Sequence, residues 1–491
     1  MTRASRLLTG SAIVLTAAAL LTLGSLPAFA APTITASGTG TVLMPLATIA
    51  TGAASEVNGV AATDSHLYVA DGPHDQILVY SLEGVSQSAI SLSSGDFPLD
   101  LALSPDKSQL YVSDLGSGRI STINLATSAV TSFAAVSSNY GITVSPDGSM
   151  LYVLANGDAQ VHEFTTTGIA LATSTSNSIY ATPAQIAVSP DGATVYVSYR
   201  DAIAPQTSGG LRLLRASDLS EFASIDVQNA EALAVNSAGE IFVGTNDGNP
   251  GGGSIQEYNA VTFLPVNPPL PTGNEPATAV VAPDGSTLYV GDGNGGQLYA
   301  VDTSGHTVSG HLGSAGGAES LAVSPDGVHV YSSSGNVVPG TVYPFAFLKL
   351  TLTAPASVTP GTGATAFDAL LDDGASPIGD HSGDSVLIEI VDATNTVRAS
   401  GSAAPGAASG AASITLNLAT LPVGTYSVRA TLTGPDGTIV ATAAGFTVAA
   451  AGSTALAATG VDAALPVGIA LLLVLAGAIV LLARRRTAAR A

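Results

Sequence analysis

One phrase returns along the first two thirds of the chain and narrows what it can fold into. It reads Ala-Leu-Ser-Pro-Asp-Lys-Ser-Gln-Leu-Tyr-Val at 102–112 and Thr-Val-Ser-Pro-Asp-Gly-Ser-Met-Leu-Tyr-Val at 143–153. It returns at 187–197, at 280–290 and from 322 onward, with worn copies near Ala61 and Ala234. The aromatic anchors Tyr68, Tyr111, Tyr152, Tyr196, Phe242, Tyr289 and Tyr331 stand 41 to 47 residues apart. A repeat of about 40–50 residues with several strands per unit is the signature of propeller blades. Such a unit buries its apolar face only by stacking on its neighbours.

Each unit reads as four strands. In the copy around Tyr196, residues 185–189 form the inner strand, Pro190-Asp191-Gly192 the turn, and 195–199, 211–215 and 221–227 the rest. Pro second and Gly last suit a type I turn. Alternating runs broken by Gly, Asn and Asp argue for β structure, and no stretch has a helical period. The inner strand carries a small residue at one place: Ala61, Ala102, Thr143, Ala187, Ala234 and Ala322, with Val280 the exception. Crowding around a narrow axis would favour that. Seven repeats predict seven blades over residues 31–348, with 41–50 supplying the missing outer strand of the last. Pairing the two ends in this way removes an exposed edge.

The Ser-Pro-Asp-Gly-x-x-Leu-Tyr-Val phrase resembles YVTN-type propeller repeats, which are kin to lactonase-like propellers. The resemblance covers about 300 residues and rests on turn and packing residues, so it implies architecture far more than activity.

Beyond the repeats, residues 349–449 alternate without the phrase. Leu421-Pro-Val-Gly-Thr-Tyr-Ser-Val-Arg-Ala-Thr-Leu-Thr-Gly434 is similar to the late strands of bacterial Ig-like domains. The expectation is an Ig-like β-sandwich stalk. Residues 1–30 read as a secretory signal peptide, with Arg3 and Arg6 before an apolar run and Ala28-Phe29-Ala30 as the cleavage site. At the far end, 450–460 is a small-residue linker carrying Leu456, Ala457, Ala458, Thr459 and Gly460; 461–483 is an apolar run and 484–491 a basic tail. About 20 apolar residues span a bilayer, and flanking arginines hold their end inside. The order resembles a sortase sorting signal of the LAxTG kind, an LPxTG-like signal typical of high-GC (actinobacterial-type) Gram-positive bacteria. That resemblance implies cleavage between Thr459 and Gly460 by a class E-like sortase, transfer to peptidoglycan, and a secreted, wall-anchored surface protein held briefly in the membrane. The whole expectation is all-β: a seven-bladed β-propeller, then an Ig-like β-sandwich, then one C-terminal transmembrane helix.

The chain has no cysteine, so disulfides cannot stabilise it outside the cell. Its net charge is −22; without the two end segments, 8 basic residues face 35 acidic ones. That surface repels phosphate backbones and excludes a nucleic-acid role.

No Gly-x-Ser-x-Gly elbow, His-Glu-x-x-His pair or Walker loop is present. The most informative polar set is Asn58, Asp100, Tyr140, Gln185, Glu231, Glu275 and Glu319, which fall near the start of successive innermost strands. Those starts converge on one mouth of a propeller channel. The carboxylates would suit a hard cation such as Ca2+, or hydrogen bonds to a sugar with Tyr140 as a stacking face; solvated rim residues without a ligand are the bland reading. Three functions follow: a surface protein displaying a site for a glycan or protein partner, a lactonase-like or other metal-dependent hydrolase acting at the mouth, or a purely structural wall component.

Overall fold

The computed structural model describes residues 33–449, apart from 40–43, 47, 53, 176–181, 201–208, 314–316, 336–337, 347, 373–383, 407–409 and 435–436. Strands are named below by their residue ranges. Blade 1 runs outward from Val57–Ala62 through His66–Asp71 and Gln76–Ser81 to Ile90–Ser91. The inner strands of blades 2 to 7 are Pro98–Leu103, Asn139–Val144, Thr182–Val188, Ala230–Val235, Pro276–Val281 and Ser320–Val323. Each blade is a separate antiparallel sheet, and the seven inner strands lie side by side in a closed ring. Blade 7 keeps only three strands of its own; Met44–Pro45 and Ile49–Ala50 pair with Thr341–Ala346 and close the ring. The sequence reading of 41–50 anticipated that closure.

The repeated phrase works in two places. At the turn, Gly192 donates its N–H to the Ser189 carbonyl at 2.9 Å, and Gly192 has φ +72°, where a β-carbon is strained. The Ser189 hydroxyl donates to the Asp191 carboxylate and accepts from the Thr194 N–H at 2.9 Å. Ser104, Ser145 and Ser324 repeat the arrangement. These donors hold the exposed Asp147 carboxyl down to about 2.

In the ladder, each small inner residue faces the aromatic anchor directly. Ala61 pairs Tyr68, Ala102 Tyr111, Thr143 Tyr152, Ala187 Tyr196, Ala234 Phe242, Val280 Tyr289 and Ala322 Tyr331. All seven anchors are buried. The small residue makes room for its ring partner, a more specific cause than crowding at the axis.

The second unit is a two-sheet sandwich. One sheet has the order Thr33–Thr39, Lys349–Pro355, Ala364–Asp372, Ala411–Asn417; the other has Ser357–Val358, Gly437–Val448, Gly424–Gly434, Ser385–Val391, Val397–Ala403. Leu350, Leu352, Phe367, Ile388, Val428 and Phe446 fill the space between them. The first described strand therefore belongs to the sandwich, paired from Thr33 opposite Pro355 to Thr39 opposite Lys349. From there the described chain runs through the whole propeller and returns to the adjacent strand. Ala346 and Leu348 join the sandwich core, with Leu46 and Val328 packed against it, so the two units share one apolar seam.

The fold class requires a correction. Among the described residues no helix is long and apolar enough to cross a membrane. The one helical element described is the 3-10 turn Gly72–His74, and the longest elements are strands of 11 and 12 residues. Alternating strand patterns fill the described chain, which leaves no apolar helical run. Among the described residues the fold is all-β, with no membrane-spanning helix. The signal peptide expected at 1–30, the linker with its LAATG motif at 450–460, the transmembrane helix at 461–483 and the basic tail at 484–491 lie outside the described residues. The membrane anchoring, wall attachment, localisation, and sortase and peptidoglycan partners that depended on that helix are therefore not carried forward.

Candidate functional site at the channel mouth

The inner strands begin irregularly, and that irregularity builds the site. The ladder slips between Val57 and Val60, Pro98 and Asp100, Asn139 and Gly141, Pro183 and Ile186, and Ala230 and Leu233. A bulged residue leaves the ladder and its side chain is re-aimed. Asn58, Tyr140, Gln185 and Glu231 are among the residues left out at these slips, Asp100 resumes the ladder opposite Ser113, and Glu275 and Glu319 immediately precede Pro276–Val281 and Ser320–Val323. All seven line one cavity of about 410 Å3.

Two of them are tied into the backbone. Asp100 accepts the Ile142 N–H of blade 3 on Oδ2 at 2.9 Å and the Leu101 N–H on Oδ1 at 2.9 Å. Burial pushes its pKa up to about 6 against these donors. Gln185 accepts the Leu233 N–H of blade 5 at 3.0 Å and donates to the Ala277 carbonyl of blade 6 at 3.2 Å. Serines stand behind both. Ser113 accepts the Asp100 N–H at 3.0 Å and donates to the Tyr140 carbonyl at 3.3 Å. Ser198 does the same between Gln185 at 3.0 Å and Glu231 at 2.7 Å. Each tie also satisfies backbone groups that the bulges release.

The remaining groups are less committed. Glu231, with its side chain 5% exposed, accepts from Arg200 Nη1 on Oε1 at 3.2 Å. Its Oε2 is buried without a hydrogen-bond partner, as is the amide nitrogen of Asn58. Burial first, then the Glu275 charge, raise the Glu231 pKa, and Arg200 opposes them. Burial and Glu275 raise that of Glu319 as well. Glu275 receives the Asn294 amide, and its own N–H donates to Asp292 at 3.0 Å. Burial raises the Tyr140 phenol, with Arg200 opposing. Gly335 seats Glu319: a β-carbon there would meet its Cγ at 2.0 Å.

Sequence reasoning missed Arg200, the one basic side chain lining this cavity among the described residues. A signal existed. Blades 1, 2 and 6 end their second strand on Tyr-Val-x-Asp, at Asp71, Asp114 and Asp292, whereas blade 4 reads Tyr-Val-Ser-Tyr-Arg.

Among the described residues, no three His, Cys, Asp or Glu side chains come together to hold an ion. Both Asp100 oxygens accept backbone N–H groups, and Glu231 holds a guanidinium. No catalytic step is routed through a metal.

Residues 101–204 match the family described as "Lactonase, 7-bladed beta-propeller". That stretch carries Tyr140, Gln185 and Arg200. No curated protein matches the chain. Among solved structures, Kuenenia stuttgartiensis hydrazine synthase is similar with TM-score 0.51 and 16% identity, over 59% of this chain and 96% of that one. At that identity the likeness is one of fold. None of these comparisons names a sortase, peptidoglycan, glycan or protein partner, and that part of the sequence reading is set aside.

Proposed function

We propose that the channel mouth is a hydrolytic site that opens a lactone ring by carboxylate acid–base chemistry. One observation carries this: Glu231 is buried, holds Arg200 on one oxygen, and stands against the Glu275 carboxylate in the same cavity. A carboxyl raised by burial and a like-charged neighbour is suited to donate a proton near neutral pH. The partial lactonase-type match supplies the substrate class.

In this reading Glu275 takes a proton from water as the water oxygen adds to the lactone carbonyl carbon. Arg200 stabilises the developing oxyanion. The acyl C–O bond of the ring then breaks, and protonated Glu231 gives its proton from Oε2 to the departing ring oxygen. One water is consumed and one hydroxy acid leaves. Return of the proton from Glu275 to Glu231 restores the pair. Asp100 and Gln185 hold the blades in place around the reaction rather than taking part in it.

The test is base uptake in a pH-stat with a panel of γ- and δ-lactones. The native protein is expected to open at least one, and Glu231→Gln to lower kcat/KM by about 100-fold or more, with unfolding temperature unchanged. Equal rates in the native protein and Glu231→Gln, or no turnover on any lactone, would overturn the proposal.

A further inference from the structure

The charge pattern of the mouth bears on which lactones could enter. Asp100, Glu231, Glu275 and Glu319 line a cavity whose one basic side chain among the described residues, Arg200, is already paired with Glu231 at 3.2 Å. Recognition of phosphate or carboxylate needs several free N–H donors or an unpaired guanidinium. Here an entering anion would meet Asp100, Glu275 and Glu319, three acidic side chains against the single guanidinium that the hydrolytic reading assigns to the carbonyl oxygen. The field of the whole chain, at −22, acts in the same direction. The cavity also presents a donor suited to a neutral partner: the Asn58 amide nitrogen, in a side chain 7% exposed and without a hydrogen-bond partner. A ring hydroxyl or carbonyl would satisfy it. At about 410 Å3 the cavity suits a single substituted ring.

We infer that the site selects neutral or cationic ring substrates and rejects those carrying phosphate or carboxylate, with Glu319 acting as a specificity residue at the mouth. This rests on the hydrolytic reading for its substrate class, but the selectivity stands on the charges alone. Glu319 takes no part in the proton transfers above. It stands immediately before the inner strand one blade on from Glu275 and feels that carboxylate's charge.

The experiment compares a neutral sugar δ-lactone with its phosphorylated counterpart, in the full chain, at low and high salt. The expected kcat/KM ratio favours the neutral compound by about 100-fold at low ionic strength and shrinks as salt screens the field. Glu319→Lys is expected to narrow the ratio about tenfold, through KM for the phosphorylated substrate. A native protein that opens both lactones equally well, or a ratio unmoved by salt and by Glu319→Lys, would sink the inference while leaving hydrolysis intact. Failure to open either lactone defeats the hydrolytic reading instead. Calorimetry with glucose and glucose 6-phosphate then decides selectivity by itself, and equal affinity for the two overturns it.

Discussion

At the scale of single residues, the seven mouth positions were legible because the repeat places each at the start of an inner strand. Their division of labour was not. Asp100 and Gln185 differ from Glu231 in what backbone lies within reach, and that depends on the neighbouring blade. The same limit hid Asp114, which stands where Asp71 and Asp292 stand. Asp71 accepts Ser55 and Gln76, and Asp292 accepts three backbone N–H groups. Asp114 accepts only the Ser121 hydroxyl, at 2.7 Å, and leaves Oδ1 buried without a partner. Burial, with the charges of Asp96 and Asp75 added and Arg119 opposing, raises its pKa to about 7. A carboxyl with a folded pKa above its unfolded one binds more protons in the folded state, so stability falls as pH rises between the two values. Its cost is small at pH 4 and complete above about pH 7. Asp114→Asn keeps the shape and the acceptor for Ser121 but carries no charge. It should stabilise the protein by about 4 kcal/mol at pH 8 and by little at pH 4, as measured by urea unfolding. A pH-independent difference would contradict this account of Asp114.

At the scale of elements, turns and strand order were legible and strand ends were not. The inner strand expected over 185–189 is observed as Thr182–Val188, because its first residues sit in the bulge that builds the cavity. Propensity cannot locate a bulge whose purpose is to aim a side chain at a shared channel. The pairing of small residue with aromatic anchor was visible as two separate patterns, and only the register joins them. That pairing gives a graded prediction. Blade 6 tolerates a β-branched residue, Val280, opposite Tyr289. Ala234, buried opposite Phe242, should therefore accept Val at small cost, whereas Ala234→Leu should destabilise by about 1–3 kcal/mol through overpacking. Thermal unfolding of both variants checks the ordering. Equal losses from Val and Leu would mean that the ring does not set the size limit at this place.

At the scale of the molecule, ring closure was legible and the tie between propeller and sandwich was not. A ring whose seventh unit lacks its own outer strand needs its ends joined, so the extra strand expected at 41–50 follows from counting. Thr33–Thr39 has no such logic in its sequence: Thr-Ile-Thr-Ala-Ser-Gly-Thr carries neither the repeat phrase nor a likeness to the later strands. Its place comes from the edge it covers, Lys349–Pro355, which follows the last propeller strand Thr341–Ala346 by a short step. Propeller and sandwich are thus joined by two adjacent strands and by the seam at Ala346 and Leu348. A single connection would leave two bodies free to reorient, whereas two paired crossings with shared apolar burial couple their stability. Removing 33–39 should uncover the backbone N–H and C=O groups of Lys349–Pro355 and create an open sheet edge. The expected result is faster hydrogen exchange at Leu350 to Ala354, an earlier unfolding transition for the sandwich, and greater self-association, while amides of blades 2 to 5 keep their protection. Exchange at Leu350 to Ala354 as slow as in the full chain would show that the sandwich holds that edge without the first strand, and that the two units are coupled by the seam alone.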